Sequence, residues 1–150
     1  MIFPYRTIVS SAPGGSLIVF RRPEVLLTVV RASRSGNYLT LVDTGSDSTI
    51  LPKSLAEYLQ IELHEENAFP ARAFGGAKVQ LLSGDVTFRL AHHGREFVWN
   101  TTVGFFDFPD DDDEVVILGH AGFLDYFTAT FDGKQGLLTL LPNDELPSVD

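Results

Sequence analysis

Cysteine is absent from this chain. That excludes disulfide bridges, thiolate nucleophiles and zinc–thiolate centres, so stability has to come from packing and any chemistry from other side chains. Positive charge is scarce too: 11 basic residues stand against 20 acidic ones, a net charge of −9. Phosphate backbones demand the opposite balance, so nucleic acid is not an expected partner. No apolar run approaches the roughly 20 residues needed to span a bilayer, and no membrane contact is expected. The opening Met1-Ile2-Phe3-Pro4-Tyr5-Arg6 lacks a basic start followed by a long apolar stretch. It is not read as a signal peptide, and a cytoplasmic location is expected. No internal repeat is visible at solenoid periods.

What is present is an ordinary globular composition, 44% apolar and 21% charged over 150 residues, enough for one core and one domain. Residues 1–16 are broken by Pro4, Pro13, Gly14 and Gly15. They read either as a loose arm or as a strand that pairs elsewhere. Strands are predicted over 17–20 and 25–30, with a polar turn at 33–37 making 25–42 a hairpin. A short helix over 53–59 puts Leu55 and Leu59 on one face, and 62–70 reads as a polar loop. Gly75-Gly76 between apolar arms marks a hairpin tip. Alternation predicts strands at 86–90 and 97–103 around a turn at 91–95. An acidic loop at 110–114 leads into a strand at 115–118, a short helix over 119–127, and a hairpin of 128–131 with 137–141. Many short strands with one or two short helices predict an all-β, barrel-like fold.

The stretch that organises the chain is Leu41-Val42-Asp43-Thr44-Gly45-Ser46, followed by Asp47-Ser48-Thr49-Ile50-Leu51-Pro52. A buried strand that breaks into a tight turn can hold a short carboxylate rigidly at its tip, and Gly45 permits close backbone approach. Three signals fall in order: Asp-Thr-Gly-Ser, the Gly-Gly hairpin some thirty residues on, and Val116-Ile117-Leu118-Gly119 with a helix behind it. This order resembles the retropepsin-like aspartic proteases, the single-lobe relatives of pepsin, over roughly residues 17–141. The resemblance implies a protease domain at 17–141; outside it, 1–16 is set apart as an N-terminal arm and 142–150 reads as a flexible acidic tail. Its fold would be a closed β-barrel lobe, active as a two-fold dimer.

The family pattern makes Asp43, Thr44 and Gly45 the catalytic triplet, with Thr44 interlocking with the matching loop of a second lobe. Ser46, Asp47, Phe74, Gly75, Gly76, Ala77 and Ile117 would line the substrate, the hairpin from Ala73 to Lys78 acting as a mobile flap. Ile117-Leu118-Gly119 would pack under the active loop. Viral members carry an arginine after that glycine, where this chain has His120. The chain also ends in a hairpin closer to the pepsin style than to a single viral interface strand. Because two carboxylates must face one water and the chain holds one Asp-Thr-Gly, the second acid must come from another copy. The implied activity is a homodimeric endopeptidase acting on peptides by general acid–base hydrolysis, with neither metal nor cofactor.

Plainer readings stand beside these. Asp43 could be a turn acid bonded to its own backbone, and Gly75-Gly76 an ordinary hairpin tip. His120 is either a surface residue or a partner of Asp47. His92-His93 reads as a turn, and Asp110 to Glu114 as a solvated loop lacking the ligand spacing of a calcium site. The Ser46 hydroxyl is expected to donate to the Asp43 carboxylate, which would move the working range to acid pH. The competing function is a non-catalytic peptide-binding or dimerisation module that retains the fold.

Overall fold

The computed structural model describes residues 1–72, 76, 78–109 and 114–147. Its centre is a closed ring of six strands. In ring order these are β4 (Glu24–Arg31), β5 (Arg34–Val42), β10 (Val116–Leu118), β6 (Ile50–Pro52), β9 (Arg95–Phe106) and β8 (Lys78–His92). The ring closes where Val29 of β4 faces Phe88 of β8. The fold is all-β, as the strand-rich pattern predicts.

Alternation explains the barrel. Val25, Leu27 and Val29 point inward from β4, Val86, Phe88 and Leu90 from β8, and all six are buried. Two-residue periodicity puts one face of each strand in the core. Trp99 on β9 sits at the centre, with ring centroids 5.5 Å from Phe88 and 5.5 Å from Phe127. Its indole N–H donates to the Gly122 carbonyl at 3.1 Å. The helix α1 (Lys53–Leu59) buries Leu55, Ala56 and Leu59 against this core, as its spacing predicts.

Two expectations give way. Residues 62–70 are not a loop: β7 (His64–Arg72) pairs antiparallel with β8 on the outside of the barrel. Its polar start, His64-Glu65-Glu66-Asn67, conceals a strand because β8 is its sole neighbour and an edge strand faces mostly solvent. Pro70 is tolerated there because an edge strand need not donate every N–H. The helix expected over 119–127 shrinks to one 3-10 turn, Leu124–Tyr126, since Gly122 adopts φ +90° and interrupts it.

Of the two readings of residues 1–16, strands are what form. β1 (Ile2–Pro4) pairs with β12 (Leu137–Pro142), which pairs in turn with β11 (Phe127–Asp132), a three-stranded sheet apart from the barrel. β2 (Arg6–Ser11) and β3 (Leu17–Arg22) form a two-stranded ribbon paired from Arg6↔Arg22 to Ser11↔Leu17. At its base Arg6 and Arg22 both reach the carboxylate of Glu24. Among the described residues, no helix is long and apolar enough to cross a membrane.

Candidate active site

β10 threads between β5 and β6. It runs parallel to β5, with Ile117 opposite Leu41 and Leu118 opposite Val42, and antiparallel to β6 at Ile117↔Ile50. The Asp43 N–H then donates to the Leu118 carbonyl at 3.0 Å, one residue beyond the last strand position. The backbone of Asp43 is therefore held by the sheet while its half-buried side chain lies past the strand end. A ladder on one side is what lets a short carboxylate keep one position.

The loop that follows is laced to residues 118–121. His120 N–H donates to Ser46 O at 2.9 Å, Ala121 N–H to Asp47 O at 3.0 Å, and Thr49 N–H to Ala121 O at 2.9 Å. The Asp43 carboxylate accepts the Gly45 N–H at 2.8 Å. A Cβ on Gly45 would stand 3.2 Å from that same oxygen, closer than ordinary contact. Gly119 is constrained harder: a Cβ there would lie 2.6 Å from Ser46 O and nearer still to Ser48 O, backbone atoms that cannot swing away. This is why a glycine follows Ile117-Leu118, and the segment does run directly against the acid-bearing loop.

Asp43 opens onto a cleft of about 980 Å³. Gly45, Ser46, Asp47, Ser48, Ile50 and Ile117 form the floor with it, Pro70, Ala71, Lys78 and Leu81 of the β7–β8 hairpin form a wall, and Phe108 closes one side. The hairpin is held in register by pairing of Ala71 with Val79 and Arg72 with Lys78. The cleft thus sets two carboxylates, Asp43 and Asp47, against the single ammonium of Lys78.

No family model matches the chain, and no curated protein matches it. Among solved structures, it is similar to the EIAV protease complexed with the inhibitor HBY-793. That similarity has 24% identity and a TM-score of 0.44, over 66% of this chain and 82% of that one.

The expected site residues divide into three groups. Asp43, Gly45, Ser46, Asp47 and Ile117 meet at the cleft. Thr44 is exposed beside it, its carbonyl 3.2 Å from Nε2 of His120. Gly76 has φ +84°, a conformation that favours glycine, whereas Phe74, Gly75 and Ala77 lie outside the described residues, as do Asp110–Asp113.

One contact differs from expectation, and of the two readings of His120 the exposed surface residue is the one that forms. The Ser46 hydroxyl donates to Ser48 O at 2.7 Å, not to the Asp43 carboxylate. The short loop bends Ser48 O back over the hydroxyl, and the Gly45 N–H takes the place at the acid. His120 faces Thr44 O and, at 4.0 Å, Asp125, rather than Asp47. The walls contributed by Pro70, Leu81 and Phe108 were not anticipated. Reading 62–70 as a loop hid Pro70, and nothing local to Phe108 marks it as a cleft residue.

Proposed function

We propose that this chain is an aspartic endopeptidase active as a homodimer, in which one Asp43 from each copy flanks a single water. The observation that supports the reading is the Asp43 carboxylate itself. It is anchored through its backbone to Leu118 and through Oδ1 to Gly45, and it opens onto a cleft of about 980 Å³. The bond to Gly45 N–H is one that a plain turn acid would also make, and it is the cleft in front of the carboxylate that favours the catalytic reading.

In this reading the two-fold axis passes beside Thr44, which is exposed and so available to a second copy. Two carboxylates about 3 Å apart hold one proton between them, since both cannot ionise. The ionised one takes a proton from the water as its oxygen attacks the scissile carbonyl carbon. The protonated one gives its proton to the carbonyl oxygen. The resulting gem-diol collapses when a proton reaches the amide nitrogen and the C–N bond breaks, which restores the shared proton. The β7–β8 hairpin would serve as the lid over the peptide.

The test is cleavage of a peptide library over a range of pH, with Asp43→Asn as the comparison. The substitution keeps the shape and removes the charge and the shared proton. Turnover is expected to fall by at least about 10²-fold, with the circular dichroism spectrum unchanged. Wild-type turnover by the purified Asp43→Asn protein would end the assignment. Peptide binding without cleavage by the wild-type chain would favour the non-catalytic module instead.

A further inference from the structure

The β2–β3 ribbon is hard to account for in a lone chain. Leu17 is 71% exposed, Val19 61% and Val9 57%, with Ile18 and Phe20 also open to solvent. Four consecutive apolar residues on β3 place greasy side chains on both faces of the ribbon, whereas a ribbon with one dry face would alternate. Its substantial packing is between its own two strands, and none of its residues joins the core cluster. Thr7–Phe20 carry no charge at all, in a chain that is 21% charged. Solvent-facing edge strands are ordinarily protected by charge, and beyond Arg6 and Arg21-Arg22 at its base this pair is not.

We propose that the β2–β3 ribbon is a dimerisation arm that lies on a second copy of this chain, an inference that rests on the homodimeric reading above. Position supports it. Val42 N–H donates to Pro23 O at 3.0 Å, so the ribbon springs from the barrel rim directly beside Asp43. Arg6 and Arg22, both bound to Glu24, clamp its base there. The terminal strands are already used within the chain, β12 lying between β1 and β11, whereas the ribbon joins neither that sheet nor the barrel. Size supports it as well. A stable interface takes about 20–30 residues a side. In a two-fold pair each side offers both its own arm and the surface that receives its partner's. The six residues of β2 and six of β3 therefore cover about half of what is needed. Charge points the same way. Residues 1–23 hold Arg6, Arg21 and Arg22 and no acid, so residues 24–150 carry the other 8 basic and all 20 acidic residues, −12. The arm is the stretch that can approach so acidic a body without adding repulsion.

Val9 and Val19 are directly opposite in register and both exposed, so replacing them removes no core packing; opposed glutamates also repel across the ribbon itself, a term that the threonine pair does not carry. The experiment is sedimentation over a concentration series for the wild type, Val9→Glu/Val19→Glu and the milder Val9→Thr/Val19→Thr, with thermal melting as a check on folding. The expected result is a wild-type dimer, association weakened at least about tenfold by the glutamates and less by the threonines (tenfold being about 1.4 kcal/mol). Because the chain has no cysteine, an environment-sensitive fluorophore on Val19→Cys reports that position alone, and its emission should shift to the blue as the dimer forms. A dimer that both double variants leave unchanged, or whose label stays solvent-exposed, overturns the arm. The homodimeric reading then survives, since it is judged separately by whether turnover depends on protein concentration. A wild-type chain monomeric throughout overturns the arm too, and cleavage by that monomer would take the homodimeric reading with it. A label buried only when another macromolecule is added also overturns it.

Discussion

Gly119 is the residue where the local chemistry is tightest. Any side chain there drives into the carbonyls of Ser46 and Ser48, and neither can move without breaking the bonds that lace the loop to 118–121. Gly119→Ala is expected to cost about 3 kcal/mol or more, read as a lower denaturant midpoint. An unchanged midpoint would mean the loop is looser than its hydrogen bonds imply. Ser46→Ala should behave differently. It removes one hydrogen bond to Ser48 O, worth about 1 kcal/mol, and should leave the pH–rate profile where it was. A shifted profile would show that the hydroxyl reaches the carboxylate after all. Tyr38 supplies an alkaline test. Burial, and secondarily Tyr58, raises its phenol above the usual 10.0. A phenol that holds its proton more tightly when folded contributes stability that is complete below the unfolded pKa and lost as pH rises through the folded one. Tyr38→Phe should therefore flatten the fall in melting temperature above about pH 10, and an identical fall in both proteins would refute the assignment.

At the scale of elements, the wall of the cleft depends on how β7 and β8 sit over β9. A Cβ at Gly104 would lie 2.9 Å from both Leu81 Cδ1 and Phe69 Cζ, the two side chains that hold the hairpin against the barrel. Gly104→Ala is expected to cost about 1–3 kcal/mol and, because Leu81 lines the cleft, to raise KM for peptide more than it lowers kcat. A KM equal to the wild type's, with stability lost, would separate the hairpin from substrate binding. The elements also show what local pattern can and cannot reveal. The 25–42 hairpin and α1 were legible because each buries one clean face. β7 was not, because an edge strand has no dry face to write into its sequence, and its partner β8 lies beyond the hairpin tip.

For the whole molecule, net charge bears on the proposed assembly. Two copies at −9 each bring −18 together, and on the homodimeric reading this repulsion opposes association. Adding salt from about 0.01 M to about 0.15 M shortens the screening length from about 30 Å to about 8 Å. The dimer is expected to tighten over that range, measured by sedimentation. A dimer that loosens instead would be held by ion pairs between copies, not by the apolar arm.

The sequence by itself determined the all-β class, the helix after Pro52, and the acid-hydroxyl-glycine turn with a glycine-ended strand to brace it. Each is written in neighbours a few residues apart: alternation, a four-residue spacing, a strand end beside a glycine. Tertiary structure decided everything that depends on which distant segment arrives. It closed the barrel through Val29 and Phe88 and stood β7 beside the cleft. It turned the Ser46 hydroxyl to Ser48 and gave His120 to Thr44 and Asp125. It also left β2 and β3 uncovered at the rim beside Asp43. Hydroxyls and imidazoles take whichever acceptor the packed backbone brings within 3 Å or so, and strand faces are buried only where another element reaches them. Neither choice is made by the residues next in line.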